Sequence, residues 1–559
     1  MFKKSLAVFL LLACLSLFGG IANAQAATGK TGIAFGLNGI ADWSTQHPFL
    51  DVMKTGRPWI GHLPNQWGGV EFEDMMADGV FDDTGWPQRI PEGVTRLESL
   101  VLTDQPPEAH HLSGRYVLTY DGQGDLTVTG RARVIKREPG LRIFSYAPGP
   151  GAVGVAIDAT DPADPIRNIR IVPEIHMDAF KAGAVFNPDW LDRLEGVAQL
   201  RFMDWMFTNG SPIKTWEEMP KETDFSYVWR GVPLPVMIDL ANLIGADPWF
   251  NIPHLAEDDL VRRFAELVRA DLDPSRIAYV EYSNEVWNFL FEQARWSGDQ
   301  AEALWGASDD GWMQYYGLRA ASVMAIWTDV FGTDAPRRLR RVVTVHTGWP
   351  ELEQAILVGA RAQEELGFKP VDMFDAYAVT GYFGYELGEP EKLEDALENA
   401  AAQAEADGKA RGLARVALRE YISQNRFNGM DDLAAERVRN GSLKEMTDTL
   451  WPYHAGVAAR YGLQLVMYEG GTHAAVQWEA VDNERLVDFL IAFNYSEQMA
   501  DLYRDALDAW ASLTDSPFNA FVDVAAPSKW GSWGALRHLN DDNPRWRVLR
   551  SMDAVTSEN

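Results

Sequence analysis

The spacing of apolar residues changes along the chain, and the changes outline its elements. From about residue 197 to the C-terminus, short apolar runs alternate with longer stretches whose apolar positions recur at i, i+3 and i+4. The short runs, at 200–205, 248–252, 276–282, 342–345, 373–379, 463–468 and 520–524, predict strands. The stretches at 234–244, 258–271, 312–330, 352–366, 392–422, 443–461 and 484–513 predict the helices between them. A further strand is available at 32–40 (GIAFGLNGI). Eight strands alternating with helices fit an α/β fold of the (β/α)8 TIM barrel type. A doubly wound open sheet is the competing arrangement, and its strand order has no need of the strand at 32–40.

The alternation is interrupted between about 90 and 172. Segments 115–120, 125–129, 131–135, 141–145 and 153–157 are short, rich in β-formers and separated by Gly, Pro and Asp turns, and 168–172 closes the set. Spacing that close predicts a small antiparallel β-sandwich, inserted between the first and second barrel strands. The chain then divides into an amino-terminal signal at 1–26, a first part of the barrel at 27–89, the insertion at 90–175 and the rest of the barrel at 176–559.

The signal is read from Lys3 and Lys4, an apolar run at 5–18 that is too short to span a bilayer, and Ala22-Asn23-Ala24, which fits a signal-peptidase site. A secreted or periplasmic protein is expected. The single cysteine, Cys14, lies inside this segment, and Leu11-Leu12-Ala13-Cys14 also resembles a lipoprotein signal that would anchor the chain there. Otherwise the mature chain has no thiol nucleophile, disulfide or Cys-based zinc site. No later apolar run reaches ~18 residues, so no membrane span is expected.

Charge and motifs narrow the chemistry. Lys plus Arg is 50 against 80 for Asp plus Glu, a net charge of −30. A surface that acidic repels phosphate backbones and argues against a nucleic-acid partner. The 21 Trp residues supply faces for stacking on sugars as well as for the core. The stretch 149–154 (GPGAVG) has the spacing of a dinucleotide fingerprint, but Val-Ala-Ile follows it within the sandwich, so it reads as a turn. HExxH, P-loop and GxSxG patterns are absent from the sequence, and no cofactor and no metal site is expected.

Two glutamates at strand ends carry the candidate chemistry. Glu285 lies in Tyr279-Val280-Glu281-Tyr282-Ser283-Asn284-Glu285-Val286-Trp287-Asn288, which ends the fourth strand, and Glu469 in Val466-Met467-Tyr468-Glu469-Gly470-Gly471-Thr472-His473, which ends the seventh. Barrel enzymes hold their sites at the C-terminal mouth, where carboxylates from strands 4 and 7 can meet. Glycoside hydrolysis needs such a pair, one to protonate the leaving oxygen and one to attack or stabilise the anomeric centre. Glu281 is expected to be a salt-bridged neighbour rather than a catalyst. His346 and Trp349, after the fifth strand, are candidates for the cleft or for packing.

Asn284-Glu285 after the fourth strand and Glu469 after the seventh resemble the clan A glycoside hydrolases, (β/α)8 enzymes. The resemblance covers about 31–85 and 175–540, mostly as architecture. It implies that Glu285 is the acid/base, Glu469 the nucleophile of a retaining reaction on a β-linked sugar, and Asn284 a partner of the sugar 2-hydroxyl. It also implies that Arg201 keeps the nucleophile ionised, that His254 binds substrate after the third strand, and that Tyr382 contacts the nucleophile. Trp530 or Trp533, after the last strand, resembles the tryptophan under the reacting sugar. The chain departs from many members at Val286, where Pro often follows the Glu, and at Thr380, where His is common. The expected function is hydrolysis of a neutral poly- or oligosaccharide. A non-catalytic carbohydrate-binding protein or a polysaccharide-export component on the same barrel are the rival readings, and oligomeric state is not legible.

Overall fold

The computed structural model describes residues 32–477 and 480–552. The proposed signal at 1–26, with Cys14, lies outside the described residues. Eight parallel strands close into a barrel: Ile33–Gly36, Gln199–Arg201, Asp247–Ile252, Ala278–Tyr282, Leu339–Thr344, Ala376–Phe383, Gln464–Thr472 and Phe518–Phe521. Closure is direct, because the last strand pairs with the first from Ile33↔Phe518 to Gly36↔Phe521. The open-sheet alternative is thereby excluded.

Period-2 alternation along the strands separates two cores. Trp249, Tyr279, Val342, Ala376, Ala378, Val466 and Tyr468 fill the barrel interior. Phe250, Val280 and Val343 point outward into the layer shared with the helices. The helix Asp258–Asp271 illustrates that layer: Leu260, Val261, Phe264, Ala265 and Val268 form one buried stripe, and two aspartates open its first turn. Negative charge there complements the helix dipole.

Several elements differ from expectation at positions with a local cause. The stretch 392–422 forms two helices, Pro390–Ala410 and Arg415–Asn425, because Gly412 takes φ 75° between them. The stretch 443–461 contains a widened π turn, Met446–Leu450, just before Pro452. Proline lacks the N–H that an α-helix would use and clashes with the preceding turn, so the extra residue accommodates it. The sixth strand runs on to Phe383, and the eighth ends at Phe521 rather than 524.

Two antiparallel sheets lie in the chain between the first and second barrel strands. One holds Arg167–Pro173, Gly114–Asp121, Leu141–Tyr146 and Arg133–Glu138, in that spatial order. The other holds Gly69–Val70, Ile60–His62, Arg96–Val101, Val153–Thr160 and Gly124–Gly130. They share a core of their own that includes Trp59, Leu97, Leu118, Phe144 and Ile157. The layer therefore takes in strands at 60–62 and 69–70, before the expected boundary at residue 90. It departs from the C-terminal end of the first barrel strand, the rim where catalytic loops of such barrels gather. Among the described residues, no helix is long and apolar enough to cross a membrane.

Candidate active site

Two local irregularities aim the key side chains. The fourth strand ends at Tyr282, and Ser283 (φ 63°) and Glu285 (φ 43°) then adopt left-handed backbone conformations. Neighbours on a regular strand point to opposite faces. The two turns cancel that alternation, so Asn284 and Glu285 line the same cleft. Non-glycine residues pay strain for such backbones, and functional sites are where that strain collects. On the seventh strand, the register against the sixth slips between Val379↔Met467 and Thr380↔Glu469. Tyr468 is the extra residue of this bulge. Both Tyr468 and Glu469 therefore face Arg201, the ring centroid 5.2 Å and the carboxylate 2.6 Å from the guanidinium.

Arg201 organises the floor of the cleft. Its guanidinium donates to Glu469 Oε1 at 2.6 Å, to Glu281 Oε2 at 2.9 Å and to Asn284 Oδ1 at 2.8 Å. Trp249 Nε1 (2.9 Å) and Asn251 Nδ2 (2.7 Å) also donate to Glu281 Oε2. Arg201 and Glu281 have side-chain exposures of 1% and 0%. A buried charge stripped of its partner is costly, so these residues fix one another's positions. Asn284 is held at its other end by Asn209 at 3.1 Å.

The two catalytic candidates sit in different hydrogen-bonding environments. Glu469 receives Arg201 on one oxygen and the Tyr382 hydroxyl, at 2.9 Å, on the other. Among the described residues, Glu285 receives only the Asn288 amide at 3.0 Å and the Tyr468 hydroxyl at 3.3 Å. Burial, with the nearby charge of Glu469, pushes Glu285 up to about 8. Burial pushes Glu469 up as well, but Arg201 and Tyr382 oppose it. Only Glu469 has a cation beside it, so of the two carboxyls the charged form is the more favoured at Glu469 and the protonated form at Glu285.

The cleft encloses about 410 Å³, and Asn284, Glu285, His346, Tyr382, Glu469 and Trp533 all line it. Arg201 lies beneath them, bonded to Glu469 and Asn284. Trp533 packs against His473 (5.1 Å), Phe521 (6.0 Å) and Tyr382 (6.3 Å), so it is the tryptophan of the last loop that reaches the cleft. Trp530 does not line it: the residue is half exposed on the turn 528–531, under the Lys529 ammonium at 5.1 Å. His254 is also absent from the cleft. The third strand stops at Ile252, Pro253 and a turn follow, and the imidazole is buried edge-on against Trp296 at 5.4 Å. Burial lowers it to about 4, so it is neutral.

Several cleft residues lie outside the sequence-based expectation, Asp204, Asn209 and Phe521 among them. The apolar run 200–205 predicts a strand through Asp204, but the strand ends at Arg201 and frees Asp204 to line the cleft. The run 520–524 puts Phe521 inside a strand, whereas Phe521 ends the eighth strand at the cleft wall. Asn288, the partner of Glu285, belongs to the turn after the fourth strand, where its role has no sequence signal. Asp204 is raised to about 7 by burial and by the charge of Glu469. Among the described residues, no group of three or more His, Cys, Asp and Glu side chains is arranged to hold a metal ion.

No protein-family model matches the chain, and a search of curated proteins returns no match. Among solved structures, one described as a fungal β-1,4-galactanase aligns over 67% of this chain and 96% of its own. Identity is 11% and the TM-score 0.29, a likeness too low to add to what the closed barrel already establishes.

Proposed function

We propose that the protein is a retaining glycoside hydrolase acting on a neutral, β-linked sugar chain. The observation that carries this is the unequal treatment of two carboxyls in one cleft: Glu469 clamped by Arg201 and Tyr382, Glu285 held as an acid. Pairs whose surroundings drive their pKa values apart mark an acid and a base. Glu285 donates its proton to the glycosidic oxygen as the bond to the anomeric carbon breaks. A Glu469 oxygen forms the new bond to that carbon. Water then displaces Glu469, and Glu285, now ionised, accepts the water proton.

The cleft wall also bears on the substrate. Asp204, Glu285 and Glu469 line it, and no Lys or Arg side chain does among the described residues. An anionic sugar would find no free cation there, since Arg201 is buried and paired with Glu469 and Glu281, whereas hydroxyl groups would meet hydrogen-bonding side chains and the ring of Trp533. Export directed by the signal at 1–26 would bring the enzyme to such polymers.

The test is a digest of soluble β-glucans, galactan, mannan and xylan followed by proton NMR of the first products. Hydrolysis with β-configured products, lost in Glu285→Gln and Glu469→Gln, is the expected result. Initial α-products overturn the retaining mechanism. Tight binding of a polymer without any hydrolysis supports the carbohydrate-binding rival instead.

A further inference from the structure

Four of the ten histidines gather where the inserted sheets meet the rim of the barrel. His47 lies on the loop after the first barrel strand, and His538 on the loop after the last. His110 and His111 open a short turn of the insertion, His110–Leu112. The ring of His111 meets that of His47 at 5.8 Å, inclined by 62°. The backbone N–H and the Nδ1 of His111 are each 2.8 Å from Asn540 Oδ1. His111 thus bridges the insertion to both barrel loops.

The hydrogen bonds fix where the protons sit. Asn540 Oδ1 accepts from the His111 N–H, so it accepts from Nδ1 as well, and Nδ1 is the protonated ring nitrogen. His111 Nε2 is buried with no bonding partner among the described residues. Gln105 Nε2 donates to Thr103 O at 3.1 Å, which turns Oε1 toward His47 Nε2 at 2.8 Å, so Nε2 carries the proton there. His538 Nδ1 is buried and unbonded too. A second proton on His111 would create a cation against the His47 ring, with an N–H that no group accepts. A buried unpaired charge and a buried unbonded donor are both costly.

The charges around the cluster do not offset that cost. Asp189 and Arg193, from the helix Pro188–Leu194, face His111, as does His538, and His111 itself faces His47. Asp541, Arg537, Glu108 and His110 face His538, and Asp541 is already engaged by Arg537 Nε at 2.9 Å and Asn543 Nδ2 at 3.0 Å. Burial outweighs the carboxylates: it lowers His111 and His538 from the ordinary 6.5, and His47 to about 3.

We propose that His47, His111 and His538 form an acid-sensitive latch, which holds the insertion on the barrel rim at neutral pH and releases it as pH falls. Release loosens the loop after the last strand, which also carries Trp533 into the cleft. The latch stands whether or not the cleft is a glycosidase. Above pH 6.5 the rings are neutral in the closed and the open seam alike, so protonation favours neither. Below 6.5 an opened histidine takes up a proton that the closed seam excludes, so opening gains up to about tenfold per pH unit for each histidine. For His47 the gain between pH 7.5 and pH 5 is roughly thirtyfold.

Hydrogen–deuterium exchange of the full chain at pH 7.5 and pH 5, corrected for the intrinsic exchange rates, tests the latch. Opening read from peptides covering 103–113 and 533–541 should rise by roughly thirtyfold or more in wild type, while the helix Asp258–Asp271 stays protected. The variants are His47→Gln, His111→Gln and the two combined, since Gln keeps a hydrogen-bonding amide and does not titrate. The rise should shrink by roughly thirtyfold in His47→Gln, shrink in His111→Gln, and be smallest in the double variant. Seam protection that is equal at the two pH values in wild type overturns the latch without any variant. A rise that persists undiminished in both single variants overturns it as well. So does a rise matched by equal loss of protection in Asp258–Asp271, which is unfolding of the whole chain rather than release of the seam.

Discussion

Replacing Glu285 by Gln should abolish turnover and, at alkaline pH, make the protein more stable. The ordinary glutamate value is 4.5, and the folded protein holds Glu285 up to about 8. Below pH 4.5 the carboxyl is protonated whether the chain is folded or not, so it costs nothing. As pH rises from 4.5 toward 8, the unfolded chain releases the proton and the folded chain keeps it, so stability is progressively lost. At 1.36 kcal/mol per pH unit, the ceiling on that loss is about 5 kcal/mol. Coupling to Glu469 and water in the open cleft reduce it to about 2–3 kcal/mol. Gln keeps the shape and removes the titration. For a chain of this length, roughly 1 °C in Tm corresponds to each kcal/mol, so Glu285→Gln should melt about 2–3 °C above wild type at pH 8.5 and level with it at pH 4.5. Differential scanning fluorimetry of the two proteins across pH 4.5–9 reads this directly. The activity readout runs the other way: a loss of about 10²–10⁴ on a natural substrate, and a smaller loss on a dinitrophenyl glycoside, whose leaving group needs no proton. An offset in Tm that is independent of pH, or a variant that is less stable at pH 8.5, would refute the assignment of the proton to Glu285.

Other substitutions test the surroundings of the nucleophile candidate. Tyr382→Phe removes one of the two donors to Glu469, which favour its charged form, so the acid limb of the kcat/KM profile should move up by about one pH unit. Asp204, held up to about 7, is already neutral across that limb, so Asp204→Asn should leave it in place; an unmoved limb in Tyr382→Phe would detach Tyr382 from Glu469. Arg201→Met leaves Glu281 and Glu469 buried without their cation, and thermal or urea denaturation at pH 7 should register a loss of about 3–5 kcal/mol.

The barrel was legible because its repeating unit is local. A run such as 276–282 followed by a helix needs no knowledge of the rest of the chain, and seven units in a row leave few topologies. The strands at 60–62, 69–70 and 96–101 were not legible, since two or three residues such as Gly69 and Val70 carry no period and pair only because partners exist elsewhere. Strand ends were the weakest point, and they decided which residues reach the cleft: Asp204 and Phe521 are exposed to it only because their strands stop earlier than the apolar runs do.

The site itself was half legible for a related reason. Glu285 and Glu469 stood out by residue type and by position at strand ends, Arg201 and Tyr382 only through the family resemblance. Their connections did not, because a link such as Arg201 to Glu469 spans 268 residues and exists only once the barrel closes. Strict alternation would put Asn284 and Glu285, and likewise Tyr468 and Glu469, on opposite faces of their strands. Both pairs face one way here, the first through positive φ at Ser283 and Glu285, the second through the bulge at Tyr468. A bulge is a property of two strands in register, so no single segment encodes it. Regular alternation builds a stable barrel whose interior is filled in layers. Bringing Asn284 and Glu469 to one guanidinium, with Glu285 beside them, requires breaking that alternation, and the breaks fall just after the fourth strand and within the seventh, where the two glutamates stand.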